Sequence, residues 1–136
     1  MNNLLSFRRG KSRIIGWGFF LGVVMVAFMA CASRQDQLFQ QGRGIYDLYC
    51  ATCHGAQGEG ILYSLSVLNQ SPLVLGDPKP LIAVILNGRE GSGSMPGWKN
   101  KLNDPEVAAV TTYIRQAWSN RAGPVTPKMV AAVRTP

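Results

Sequence analysis

The chain has 136 residues, room for one small domain with additional segments, and its 46% hydrophobic and 15% charged composition is that of a globular protein. Its formal charge of +7 is inflated by Arg8, Arg9, Lys11 and Arg13; from Cys31 onward ten Lys and Arg face seven Asp and Glu, a net +3. No basic stripe interleaved with aromatics appears, so a nucleic-acid partner is not expected. Residues 1–13 are polar and basic, and Ile14 to Ala32 carries no charge. Such a run behind a basic segment reads as a secretory signal or as a membrane anchor, with the remainder of the chain exported. Phe28-Met29-Ala30-Cys31 resembles a lipoprotein processing box, which would lipidate Cys31, whereas Ala30-x-Ala32 suits an ordinary signal peptidase. The length of the run favours anchoring over release as a free exported protein.

Gln35 to Tyr49 has the spacing of a helix, with Leu38, Gly42, Ile45, Tyr46 and Tyr49 on one face. Gly42 costs a helix about 1 kcal/mol against alanine, a cost that close approach of a second helix would justify. Cys50-Ala51-Thr52-Cys53-His54 follows directly. A Cys-x-x-Cys-His run is the attachment signature of c-type haem. Two thiols three residues apart lie on one side of a helical turn, within reach of two vinyl groups along one porphyrin edge. The histidine beside them offers an imidazole nitrogen to the iron. A thioredoxin-like redox pair would want a βαβ unit, and zinc would want four nitrogen or sulfur ligands. No βαβ unit is visible, and the chain's thiols and imidazole are Cys31, Cys50, Cys53 and His54 in total, of which Cys31 sits in the hydrophobic leader.

Gly55, Gly58 and Gly60 impose an irregular loop, and Ile61 to Leu68 is apolar without a clean period. Ser71-Pro72-Leu73 precedes a short helix with Asp77 as N-cap and Pro78 at its first position. In that helix Leu81, Ile82, Val84, Ile85 and Leu86 are apolar nearly all round and should be largely buried. Asn87-Gly88 ends it. Gly93-Ser94-Met95-Pro96-Gly97-Trp98 reads as a loop with stiff corners, suited to presenting one side chain at a fixed point. Because His54 is the only histidine, a second protein ligand of sulfur type must be a methionine. Met1, Met25 and Met29 fall in the leader and Met129 in the tail, which leaves Met95. Arg89, Lys99 and Lys101 flank this loop and offer positive charge for docking a redox partner.

Asn103-Asp104-Pro105-Glu106 has capping-box spacing and opens a last long helix. Val107, Val110, Ile114, Ala117 and Trp118 mark one face, and the helix is expected to run to about Ser119, with Gly123-Pro124 as its breaker. Thr126-Pro127 can open a further helical turn. The organisation expected is a leader at 1–32, a domain at 33–120 and an extension at 121–136. No strand pattern or internal repeat appears, so the fold class is all-α.

The order of helix, Cys-x-x-Cys-His, glycine loop, Pro-Leu, short helix, methionine loop and C-terminal helix resembles a class I cytochrome c over roughly residues 37–120. Gly42 and Tyr46 match the family's glycine and aromatic where the N- and C-terminal helices cross, with Tyr113 or Trp118 as aromatic partner. Cys50, Cys53 and His54 match the haem site, and Met95 in Met-Pro-Gly-Trp matches the distal ligand. Pro72 matches the proline whose carbonyl accepts a hydrogen bond from the imidazole's other nitrogen. The helix from Asn103 and the tail resemble cytochrome c subunits of membrane-bound dehydrogenases, and related domains serve terminal oxidases. The resemblance implies one covalent haem c, ligated by His54 and Met95. It implies electron transfer rather than bond-making chemistry, with a dehydrogenase or terminal oxidase as partner on the periplasmic side of a bacterial inner membrane. A haem enzyme or a gas or redox sensor with a labile sixth ligand is the alternative, and needs an iron position that Met95 does not hold.

Overall fold

The computed structural model describes residues 34–60, 67–91 and 94–134. The expected leader, with Cys31, and most of the 61–68 stretch lie outside these. Helix α1 covers 34–49. It is followed by α2 (Ala51–His54), α3 (Pro72–Leu75), α4 (Pro78–Asn87), α5 (Asp104–Gln116) and α6 (Pro127–Arg134). Extended pairing among the described residues is limited to an isolated antiparallel bridge between Arg89 and Met95. An all-α domain is what the spacing predicts. None of the described helices is long and apolar enough to cross a membrane.

Local signals set two of the helix starts as expected. The Asp77 carboxylate accepts the Lys79 N–H at 3.0 Å, with Pro78 inside the first turn of α4. Asn103 and Glu106 make the reciprocal capping box of α5, at 3.0 and 2.8 Å. Each such cap satisfies backbone donors that a helix start otherwise leaves open. In α4, Leu81, Ile82, Ile85 and Leu86 are buried as expected, while Val84 is half-buried.

Helix α5 is the hub. Instead of one buried face, the whole stretch from Val107 to Arg115 is buried, because neighbours cover it on several sides. α3, α4 and α6 all pack against it. α1 crosses it at Gly42, where a Cβ would collide with the carbonyl of Ala109 and the Cβ of Tyr113. Above and below that contact, Phe39 meets Tyr113 at 5.0 Å between centroids, and Tyr46 meets Tyr113 at 5.3 Å.

One expectation needs correction. α5 ends at Gln116 rather than near Ser119, and the break precedes Gly123-Pro124. Trp118 adopts φ 56°, a left-handed conformation unfavourable for a bulky side chain. The turn directs its indole onto Tyr46 and Tyr113, at 5.3 and 5.7 Å. Ahead of α4, Pro72–Leu75 forms an additional helical turn, α3, with Val74 fully buried. Residues beyond 121 pack on the same core. Val125 and Val130 are buried, α6 lies on α4 and α5, and Thr112 Oγ1 accepts the Val125 N–H at 2.9 Å.

Gly42 and Gly44 provide a matched pair on one exposed-to-buried helix. Gly44 has nothing within 4 Å of an added Cβ, so Gly44→Ala should stabilise by about 0.5–1 kcal/mol through helix propensity. Gly42→Ala gains the same propensity but drives a methyl into backbone that cannot yield, and should destabilise by about 1–3 kcal/mol net. Denaturant midpoints of the two variants, compared with the native protein, check the opposite signs.

Candidate functional site

The Cys-x-x-Cys-His stretch is a single helical turn continuing from α1. Cys50 N–H donates to the Tyr46 carbonyl at 2.8 Å, and the Cys53 and His54 N–H groups donate to the Cys50 carbonyl at 3.1 and 3.0 Å. Cys50 and Cys53 are not joined in a disulfide; Cys50 is half-buried, Cys53 is exposed and His54 is half-buried. Burial pushes the Cys50 thiol up to about 11, and the neighbouring Cys53 adds to the shift. Cys50 is therefore a neutral thiol at pH 7. That suits a sulfur that ends in an uncharged thioether, and does not suit a reactive thiolate.

The exit of the turn is held from α1 and from the far end of α5. The Tyr46 hydroxyl, on a fully buried ring, donates to the Gly55 carbonyl at 2.6 Å. Trp118 Nε1 donates to the Ala56 carbonyl at 3.2 Å. Its ring lies where a Cβ on Gly58 would be, and Gly58 has φ 68°, so that position requires glycine on two counts. The Gly60 N–H closes the loop onto the His54 carbonyl at 2.8 Å. Both Tyr113 and Trp118, rather than one of them, are the aromatic partners of Tyr46.

Met95 forms the isolated antiparallel bridge with Arg89. It exchanges both backbone hydrogen bonds with Arg89, at 2.8 and 2.9 Å. The Trp98 and Lys99 N–H groups then donate to the Ile85 and Leu86 carbonyls at the end of α4, both at 3.0 Å. Met95 is thereby fixed at the backbone while its side chain, half-buried, packs against the core. Met129, the other methionine in the described domain, lies on α6 and also packs against the core. Pro72 stands exposed at the start of α3, and its carbonyl accepts the Gly76 N–H at 3.0 Å.

Comparison with known proteins bears on this arrangement. Residues 37–114 match the family described as cytochrome c oxidase, cbb3-type, subunit III. The chain belongs to this family. It is 33% identical over 81 residues to the cbb3-type cytochrome c oxidase subunit CcoP of Azospirillum brasilense, covering 55% of this chain and 27% of that protein. It is 33% identical over 104 residues to the cytochrome c subunit of the quinone alcohol dehydrogenase of Gluconobacter oxydans (strain 621H), covering 69% of this chain and 22% of that one. The gluconate 2-dehydrogenase cytochrome c subunit of Pantoea cypripedii is 35% identical over 106 residues, covering 70% of this chain and 24% of that subunit. The chain thus spans about a quarter of the length of these relatives.

A cytochrome c family implies covalently bound haem c, and this donor set fits one. Two cysteines and an imidazole share one turn, and the methionine loop is pinned to the end of α4 with Trp98 against Tyr49, the residue before Cys50. The surrounding apolar side chains have the matching character. Tyr49 and Ala51, Leu68 and Leu73, Met95 and Trp98 all pack on the core yet remain half-buried. Such side chains from three separate segments are what a flat apolar group would cover. Among the described residues no group of three or more His, Cys, Asp or Glu is placed to hold a bare metal ion.

Sequence reasoning missed the polar clamps. Asn120 is fully buried: its Oδ1 accepts the Gln70 N–H at 2.7 Å, and its Nδ2 donates to the Ile114 and Leu68 carbonyls at 2.7 and 3.2 Å. The same loop is tied to the glycine turn, as Leu68 and Asn69 both donate to the Gly58 carbonyl, at 2.8 and 3.0 Å. Arg115 donates to the Val74, Gly76 and Gly123 carbonyls, at 2.6, 2.9 and 2.9 Å, and burial lowers its pKa. The one signal in sequence was an asparagine beyond the last apolar step of α5, which composition alone reads as loop. Asn120→Ala strands one buried N–H and two carbonyls, so a loss of about 2–4 kcal/mol is expected in denaturant unfolding of the holoprotein. An unmoved midpoint would show that the clamp is not what holds the 67–70 loop.

Proposed function

We propose that the chain is an electron carrier with one haem c, bound through Cys50 and Cys53 and ligated by His54 and Met95. The carrying observation is the pairing of a Cys-x-x-Cys-His turn, held at both ends, with a methionine loop whose backbone is fixed by two hydrogen bonds. When bound, the haem supplies an iron that alternates between ferric and ferrous states. The chain's own task is to hold its ligands in one geometry through that change. Tyr46 and Trp118 hold the histidine turn, and the Arg89–Met95 bridge and α4 hold the methionine. Thioether attachment and methionine ligation both present neutral sulfur, and methionine opposite histidine raises the potential relative to two histidines. In this reading the Pro72 carbonyl, which already accepts the Gly76 N–H, keeps a second lone pair for the imidazole.

The relatives are named as subunits of a terminal oxidase and of two dehydrogenases. We infer that this chain likewise passes electrons between redox proteins in a respiratory or dehydrogenase chain, and is a carrier rather than the catalyst. Its place is the periplasmic side of a bacterial inner membrane, anchored through residues 14–32 or a lipidated Cys31. Anchoring confines carrier and partners to two dimensions, so a weak docking surface suffices. The modest net charge beyond Cys31 agrees with that.

Met95→Ala tests the ligation. The ferric protein should show the weak red-edge absorption of a sulfur–iron bond, and the variant should lose it, fall in potential and gain affinity for carbon monoxide. Unchanged spectra and potential would assign the ligand elsewhere, with Met129 the next methionine to replace. The mass of the mature protein tests the anchor: a chain beginning at Ser33, with its haem in the soluble fraction, would overturn it. If the protein stays with the membrane, Cys31→Ser releases or leaves unprocessed a lipoprotein and leaves a spanning helix in place.

A further inference from the structure

Tyr49 and Trp98 connect the two halves of the site. Tyr49 is the last residue of α1, immediately before Cys50, and Trp98 lies three residues beyond Met95. Their rings are 5.1 Å apart between centroids and inclined at 44°. The Lys101 ammonium stands over both, 4.9 Å from the Tyr49 centroid and 5.7 Å from that of Trp98. A turn places it there: the Lys101 and Leu102 N–H groups both donate to the Trp98 carbonyl at 2.9 Å, and Leu102 is buried as the anchor of that turn.

The position of this cluster distinguishes it from the core. Both rings are half-buried, and Lys101 is exposed. The backbone tethers of the Met95 loop run to Arg89 and to the end of α4, whereas the ring contact runs to α1 and the cysteine turn. A displacement of the Met95 loop that carries Trp98 with it, off its own tether to the Ile85 carbonyl, separates Tyr49 from Trp98 and takes Lys101 off one or both rings. Aromatic pairs and cation–π contacts each contribute beyond burial, most where water is partly excluded.

We propose that Tyr49 and Trp98, capped by Lys101, form a clasp that holds the Met95 loop closed and sets how often Met95 leaves the iron. The inference rests on the haem ligation proposed above. The three are positioning residues, acting on the iron through Met95. An external ligand binds only the fraction of molecules in which Met95 has left, so its apparent affinity reports that fraction directly.

Imidazole added to the ferric holoprotein is the probe. Trp98→Ala should bind imidazole about tenfold more tightly than the native protein, as the open fraction rises by the loss of one ring pair and one cation–π contact. Trp98→Phe should restore most of the native affinity, and Lys101→Gln should fall between native and Trp98→Ala. Tyr49→Leu removes the other ring and should match Trp98→Ala, which keeps the test available if the tryptophan variant does not fold. A purely structural role would lower the denaturant midpoint and leave imidazole affinity within about twofold of native; that result overturns the clasp. Absence of the red-edge sulfur–iron band in the native protein overturns instead the ligation on which the clasp depends.

Discussion

Contact between the backbones of α1 and α5 at Gly42 and Ala109 is the constraint on which the rest of the site depends. A side chain at Gly42 would hold the helices apart, and the ring contacts on either side of it require them close. Because they touch, Tyr46 is enclosed by Tyr113 and Trp118, and its hydroxyl reaches the Gly55 carbonyl across the end of the cysteine turn. Burial raises the Tyr46 pKa further above its ordinary value, so the hydroxyl stays a neutral donor across any working pH. One missing methyl group thereby lets α1 and α5 close together on the exit of the cysteine turn.

Short helices leave many carbonyls open at their ends, and this domain closes them with side chains instead of longer secondary structure. Arg115 serves the end of α3 and the chain after α5 together. Arg134, from α6, pairs with Asp104 at 2.6 Å and also donates to the Leu102 carbonyl at 2.8 Å and to that of Lys99. It thus joins the last described turn of the chain to the start of α5 and to the turn behind Trp98. Arg115, buried on α5, faces three carbonyl dipoles, which offset part of the cost of burying its charge.

These long-range clamps mark the limit of what the sequence discloses. The caps at Asp77 and Asn103, the buried face of α1 and the purpose of Gly42 are legible, because each is a spacing of two to four residues or a local cost needing a reason. The haem signature is legible for the same reason, as five consecutive residues. The partners of Asn120 lie 50 and 52 residues away at Gln70 and Leu68, and Trp118 reaches 62 residues back to Ala56. No periodicity announces such bonds. They also explain the misplaced end of α5: helical spacing continues through Trp118, but tertiary contacts turn that residue out of the helix. The short α3 was hidden likewise, since Pro72 opens a turn whose stability comes from buried Val74 and from Arg115.

The two proposed iron ligands are secured by different means, and the difference has a consequence. His54 follows a turn closed by Tyr46 and Trp118 and, with haem attached, tethered through two sulfurs as well. Met95 depends on a loop whose bonds all run to Arg89 and α4, elements that the cysteine turn does not share. Support is therefore unequal for the two proposed ligands: His54 lies in a turn tied both to α1 and to Trp118 beyond α5, whereas Met95 lies on one loop tied to Arg89 and α4. The ring contact from Tyr49 to Trp98 bridges that gap at the rim, where solvent reaches Lys101. In a carrier the distinction separates the side that fixes the cofactor from the side that tunes it. A small domain with this division can adjust ligand retention at three surface-accessible positions without disturbing the crossing that makes it fold.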